Sequence, residues 1–110
     1  MTTTNVLIMF HLFQKLYDFR AIVFTSNNKT IDVCNKYGIL TSNRIERNPF
    51  GLPYIGSMYT EAYSLVNSSY YGYINADILV SDRIFEVLSY IDTKRSTVFK
   101  GSFVFISLDI

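Results

Sequence analysis

The sequence has few of the residues on which metal knuckles, disulfide frameworks and histidine-based catalysis depend. Its 110 residues include one cysteine, Cys34, and one histidine, His11. The lone cysteine excludes an internal disulfide and a cysteine-based zinc site, and the lone histidine excludes a two-histidine metal motif. Neither G-x-G-x-x-G nor G-x-x-x-x-G-K-[ST] occurs. The chain therefore has no fingerprint of dinucleotide or P-loop binding.

Charge is also scarce, and no apolar run is long enough to cross a membrane. Charged residues make up 17% of the chain and leave a net charge of +1, so no basic footprint indicates a nucleic-acid partner. The apolar run at 6–13 is shorter than the ~18 residues of a span, and no basic residue precedes it as in a signal peptide. As it stands, the chain is expected in the cytoplasm. A fragment of a longer anchored protein would belong to the secretory pathway, in the Golgi or ER lumen.

Apolar residues are abundant, at 49% of the chain, and aromatic residues alone make up 16%. This composition excludes a disordered chain, and the length predicts one domain over 1–110. Helical spacing and runs of strand-forming residues alternate along it. Gly38 stands where a glycine commonly ends a helix. The predicted order is helix 6–17, strand 21–24, helix 31–37, strand 39–41, helix 55–66, strand 70–80, a helix capped by Ser81 or Asp82, and strand 98–106.

This alternation predicts an α/β, Rossmann-like three-layer fold with a mainly parallel sheet. Ligands of such sheets bind beyond the carboxyl ends of the strands. Two polar segments occupy such positions: Thr25, Ser26 and Asn27 after the first strand, and Asn75 to Asp77 near the end of the third. The first segment is suited equally to contacting a nucleotide and to capping the next helix, and the two roles are compatible.

Asp77 is the only acid or base other than tyrosine within residues 70–81. A carboxylate among strand residues needs a cation, backbone N–H groups or water around it. Asn75 falls on the same side of an extended strand, so the pair directs an amide and a carboxylate to one place, as Mg²⁺ and Mn²⁺ favour. A turn-capping Asp77 is the alternative.

Three other features have a structural and a functional interpretation. Cys34 lies in an apolar helical stripe, which favours core packing over a nucleophile. His11 lies in the first helix and is expected to be a half-buried structural residue rather than a base. Six of the nine tyrosines fall between Tyr54 and Tyr73, and this cluster fits core packing better than a surface that stacks on a base or sugar.

Two segments, FGLPYIGSMY at residues 50–59 and YGYINADIL at 71–79, resemble the nucleotide-diphospho-sugar transferase superfamily, the glycosyltransferases of the GT-A fold. In that family the first strand ends in a polar loop that holds the nucleotide, which IVFTSN at 22–27 resembles. A later strand ends in a D-x-D motif that binds a divalent metal and the diphosphate. The resemblance covers residues 21–91, the N-terminal nucleotide-binding half of the family's domain.

The resemblance implies transfer of a sugar from a nucleoside-diphosphate sugar to an acceptor. Asp77 would then hold Mn²⁺ or Mg²⁺ and Asn75 would contact the ribose or sugar. The remaining nucleotide-binding residues would be Thr25, Ser26, Asn27 and Ser57.

The sequence departs from the family in three ways. Asn75 stands where the family usually has its first Asp, and residues 48–81 contain no Lys or Arg. A basic clamp on the diphosphate would have to come from Arg44, Arg47 or Arg83. The acceptor-binding half has no counterpart, and residues 98–110 form a divergent C-terminal strand.

The expected fold is therefore an incomplete GT-A domain. Its expected function is that of a glycosyltransferase-like domain, and the alternative is a non-catalytic nucleotide-binding or protein-interaction module. We also expect the apolar strand 98–106 to be an exposed edge through which the chain self-associates.

Overall fold

The structure, a computed structural model, describes residues 3–74 and 102–108. Three helices and four strands lie in these ranges. In chain order they are α1 (Thr3–Leu16), β1 (Phe19–Phe24), α2 (Asn28–Tyr37), β2 (Leu40–Ser42), α3 (Ile55–Leu65), β3 (Tyr70–Tyr73) and β4 (Phe103–Leu108). The rest of the predicted strand 70–80 beyond residue 74, and the helix predicted from Ser81 or Asp82, lie outside the described residues.

The helix predicted over 31–37 is present as α2, which begins earlier, at Asn28, and its predicted end at Gly38 is confirmed. The amide oxygen of Asn27 accepts a hydrogen bond from the backbone N–H of Lys29 at 2.9 Å. At the other end Gly38 adopts the left-handed conformation, with φ of 69°, and its N–H donates to the Asn35 carbonyl oxygen. A residue with a Cβ is strained in that conformation, which is why glycine ends the helix there.

All four described strands are parallel and stand in the order β2-β1-β4-β3. Phe103 of β4 pairs with Phe19 of β1 on one side and with Tyr70 of β3 on the other. The prediction of an α/β fold with a parallel sheet is confirmed for this part of the chain. No helix in the described ranges has the length and apolar character needed to cross a membrane.

The expectation of an exposed apolar edge at 98–106 is wrong for residues 103–106, the described part of that segment. These residues belong to β4, which lies inside the sheet between β1 and β3. Val104 and Ile106 are completely buried. A continuous apolar run is typical of a parallel strand covered on both faces, so this surface is not available for self-association.

Helices cover both faces of the sheet, which gives the predicted three layers. Phe103 and Phe105 of β4 lie in one buried cluster with residues of α1 and α2. Val104 and Ile106, which alternate with them, lie in a second cluster with Met58 and Ala62 of α3. The alternation along β4 therefore divides the core into two apolar layers.

The strand order creates a switch point between β1 and β4. The chain extends the sheet from β1 to β2 on one side, whereas β4 and β3 lie on the other side of β1. In open α/β sheets such a reversal leaves a crevice beyond the carboxyl ends of the two strands, and ligands bind there.

Candidate functional site

A cleft of about 270 Å³ opens at the carboxyl ends of β1, β2 and β4, next to the switch point. Its walls come from the ends of these strands and from the loops that follow β1 and β2. The lining residues are Phe24, Thr25, Ser26, Asn27, Asn43, Ile45, Arg47 and Leu108. The structure thus brings the predicted segment after the first strand to the carboxyl edge of the sheet.

The loop from β1 to α2 is held in shape by its own polar groups. Thr25 is 3% exposed, and its Oγ1 accepts a hydrogen bond from the backbone N–H of Asn27 at 3.0 Å. The backbone N–H of Thr25 donates to the Ser42 carbonyl oxygen at the end of β2. Ser26 and Asn27 are exposed. Asn27 therefore caps α2, as one interpretation predicted, and also lines the cleft.

Arg47 is the only charged side chain among the described residues that line the cleft. It lies on a hairpin formed by residues 46–54, where Arg47 bridges to Pro53 and Tyr54 N–H donates to the Glu46 carbonyl oxygen. Its Nη1 donates to the Gly51 carbonyl oxygen at 3.0 Å, which uses one of five N–H donors. The cleft consequently combines hydroxyl and amide groups with one positive charge, a combination that favours an anion.

The tip of the hairpin is organised by Asn48. Its Oδ1 accepts hydrogen bonds from the backbone N–H groups of Phe50 and Leu52, both at 2.9 Å. The Asn48 N–H in turn donates to the Leu52 carbonyl oxygen. These hydrogen bonds order the hairpin backbone next to Arg47.

Sequence reasoning missed Asn43 and Ile45 as lining residues. Both lie in the loop that begins after Ser42 at the end of β2, and the rule that placed Thr25 at the carboxyl edge applies equally to them. Arg47 was one of three candidate arginines for a diphosphate clamp. The structure places Arg47 in the cleft and Arg44 in a neighbouring groove, and Arg83 lies outside the described residues.

Ser57 does not line the cleft. Its hydroxyl donates to the Tyr54 carbonyl oxygen at 2.8 Å and accepts from the Glu46 N–H at 3.1 Å. These bonds join the base of the hairpin to the start of α3. The side chain lies in the groove that contains Arg44.

Asn75 and Asp77 lie outside the described residues, so their role as nucleotide and metal ligands stays a prediction. Ile74 N–H still donates to the Ile106 carbonyl oxygen at 2.9 Å. Because β3 is parallel to β1 and β4, Ile74, which directly follows β3, lies at the same carboxyl edge of the sheet as the cleft. Within residues 3–74 and 102–108, no three His, Cys, Asp or Glu side chains gather as a metal site would require.

The structural roles predicted for Cys34 and His11 are confirmed. Cys34 is completely buried in the core, as predicted. His11 is half-buried, with its Nδ1 at 3.2 Å from the Tyr37 carbonyl oxygen and its ring centroid at 4.9 Å from that of Tyr37. It ties α1 to the end of α2, away from the cleft.

Most tyrosines of the Tyr54–Tyr73 group pack against the core, as predicted. Tyr70 lies against the first cluster, and Tyr59, Tyr71 and Tyr73 lie against the second. Tyr54 and Tyr63 are more than half exposed.

Comparisons with protein-family models, with curated proteins and with solved structures find no match to this chain.

Proposed function

We propose that this chain is the nucleotide-binding half of a GT-A-like glycosyltransferase and binds a nucleoside-diphosphate sugar. The observation that carries the proposal is the cleft at the switch point, with Arg47 as its charged lining residue. The ligand's phosphates lie in the cleft beside Arg47, and the loop of Thr25, Ser26 and Asn27 contacts the nucleoside.

The chemistry of the lining supports an anionic, partly polar ligand. A guanidinium binds phosphate oxygens through paired N–H donors, and no carboxylate among the described lining residues opposes it. Ligand pockets usually have volumes of about 300–1,000 Å³. At about 270 Å³ the cleft holds the phosphates with part of the nucleoside, and the rest of the ligand extends beyond it.

The proposal retains the divalent metal that the resemblance implies. Asp77 would hold Mn²⁺ or Mg²⁺, Asn75 would contact the ribose or sugar, and the bound metal would stabilise charge on the leaving diphosphate during glycosyl transfer. The backbone pairing of Ile74 at the carboxyl edge supports this location, because Asn75 follows it directly in the chain.

Arg47 provides the test of the phosphate site. We expect Arg47→Gln to weaken the binding of UDP or GDP to the full chain by about tenfold to a hundredfold, since a charge-assisted hydrogen bond contributes about 1.5–3 kcal/mol. Isothermal titration calorimetry measures the affinity.

Arg44→Gln is the matched control. Arg44 is exposed and lines the neighbouring groove, so its replacement removes the same charge without changing the cleft. Equal losses in the two variants would contradict the assignment of Arg47.

Asp77 provides the test of the metal. Asp77→Asn keeps the shape of the side chain and removes its charge, so we expect Mn²⁺ to raise UDP affinity in the wild type but not in this variant. Asn75→Ala should weaken binding less, because it removes a neutral group. If Asp77 only caps a turn, Asp77→Asn leaves the affinity unchanged, since Asn caps about as well as Asp.

A protein-interaction module is the second candidate, and one observation favours it. Phe50 is 88% exposed and Leu52 is 62% exposed on an ordered hairpin. Neighbouring exposed apolar side chains form an apolar patch, and such patches are found at protein-interaction sites. A chain that unfolds cooperatively but binds neither UDP nor GDP, with or without Mn²⁺, would support this function over nucleotide binding.

A further inference from the structure

A second and larger groove adjoins the cleft. It lies between α3 and the segment that follows β2, and its volume is about 750 Å³. Ile45 lines both cavities, so the groove and the cleft meet at this side chain. The groove is therefore the cavity next to the cleft.

Glu61 provides a fixed carboxylate in this groove. Its side chain is 13% exposed, its Oε2 accepts from the Ser42 hydroxyl at 2.8 Å, and its Oε1 accepts from the Ser64 hydroxyl at 3.1 Å. Arg44 Nε lies 3.9 Å from Oε2. Two carboxylate oxygens have about four lone-pair sites, so these contacts leave acceptor capacity for a ligand.

The hydroxyl groups of the groove are acceptors as well, because their hydrogens are already engaged. Ser57 donates to the Tyr54 carbonyl oxygen, and Thr60 donates to the Gly56 carbonyl oxygen at 3.0 Å. Ser64 donates to Glu61. With Glu46 and Glu61 against Arg44, the described lining carries one more negative than positive charge. The groove is thus suited to a ligand rich in hydrogen-bond donors.

Gly56 lines the groove without a side chain. It lies in the first turn of α3, and a Cβ built there meets no atom within 4 Å. A ligand can therefore approach the helix backbone at this position.

From these contacts we propose that the groove binds the sugar of the nucleoside-diphosphate sugar, with Glu61 accepting hydrogen bonds from its hydroxyl groups. This inference rests on the proposed function and names the part of the ligand that the cleft cannot hold. The two cavities divide the ligand by charge. Phosphates enter the cleft with Arg47, and the neutral, hydroxyl-bearing sugar enters the groove with Glu61.

The test compares each sugar nucleotide with its parent nucleotide on the full chain by calorimetry. In the wild type we expect UDP-glucose to bind about tenfold more tightly than UDP, or GDP-mannose than GDP, because several sugar hydroxyls gain acceptors. Glu61→Gln and Gly56→Leu should remove this gain and leave the affinity for UDP and GDP unchanged.

The two variants remove the gain in different ways. Glu61→Gln removes the charge, whereas Gly56→Leu fills the groove and places a better helix former in α3. Gly56→Leu thus keeps the test valid if Glu61→Gln fails to fold. Asp32→Asn, on the exposed surface of α2, is the control for loss of one carboxylate and should retain the gain.

The outcomes separate the two proposals. If UDP or GDP binds but no sugar raises the affinity, or if Gly56→Leu retains the gain, the groove is not the sugar site and the phosphate cleft stands. If neither nucleotide binds, both proposals are overturned.

Discussion

Asn27 combines two roles in one side chain, because it caps α2 and lines the cleft. The two roles make different demands. Capping needs an oxygen that accepts the Lys29 N–H, whereas an anionic ligand in the cleft is weakened by any added negative charge nearby. Substitutions at this position can therefore separate helix stability from ligand binding.

We expect Asn27→Asp to preserve the free energy of unfolding and to weaken UDP binding, since Asp caps well but adds a negative charge to the lining of the cleft. Asn27→Ala should lower the free energy of unfolding by about 1 kcal/mol through loss of the cap. Urea denaturation and calorimetry measure the two effects. An Asn27→Asp variant with unchanged affinity would contradict the location of the phosphates.

Asn48 controls the hairpin in a similar way, through one oxygen that serves two backbone N–H groups. Asn48→Ala should lower the free energy of unfolding by about 1 kcal/mol and speed hydrogen exchange at Phe50 and Leu52. Asn48→Asp keeps the acceptor and is the control. Slow exchange at both amides in Asn48→Ala would show that other contacts hold the hairpin.

At the scale of the elements, the helices were the easiest part to predict. Apolar residues recur at helical spacing in α1 and α3, and Asn27 and Gly38 mark the two ends of α2. These patterns involve residues that are close in sequence, so they can be recognised in a single sequence. Strand partners are set by contacts distant in sequence. The apolar run at 103–106 predicted a strand. The neighbouring residues in the sequence did not indicate that this strand would lie between β1 and β3.

The central position of β4 has a measurable effect on stability. Ile106 is completely buried and pairs with Ile22 and Tyr73. We expect Ile106→Val to lower the free energy of unfolding by about 0.5–1.5 kcal/mol and Ile106→Ala by about 2–5 kcal/mol. Urea titrations followed by circular dichroism test this. Losses near zero for Ile106→Ala would contradict a central β4.

For the whole molecule, the candidate site depends on the topology more than on any motif. Thr25, Ser26 and Asn27 could be predicted because they directly follow an evident strand. The position of Arg47 in the cleft depends on how the hairpin folds against the ends of β1 and β2, which the spacing of residues does not encode. The same dependence explains why Ser57 lies in the groove and not in the cleft.

A net charge of +1 gives the molecule little long-range field, so the attraction of a phosphate should be local to Arg47. We expect UDP affinity to fall as salt rises in the wild type, and to depend much less on salt in Arg47→Gln. Calorimetric titrations at increasing sodium chloride concentration measure both dependences. Parallel salt dependences would indicate that other cations attract the nucleotide.

The pairing of β4 with β1 also has a consequence for synthesis on the ribosome. β1 and β3 emerge early, but the strand that joins them follows only at Phe103–Leu108. Until those residues leave the exit tunnel, the sheet stays incomplete. The backbone N–H and C=O groups of β1 and β3 that pair with β4 then have no partner strand, and the apolar faces of both strands are only partly covered. Such distant pairings fold slowly and leave partly folded chains open to aggregation. Nascent chains arrested before β4 should therefore stay sensitive to protease and bind chaperones, and both should end once β4 is released.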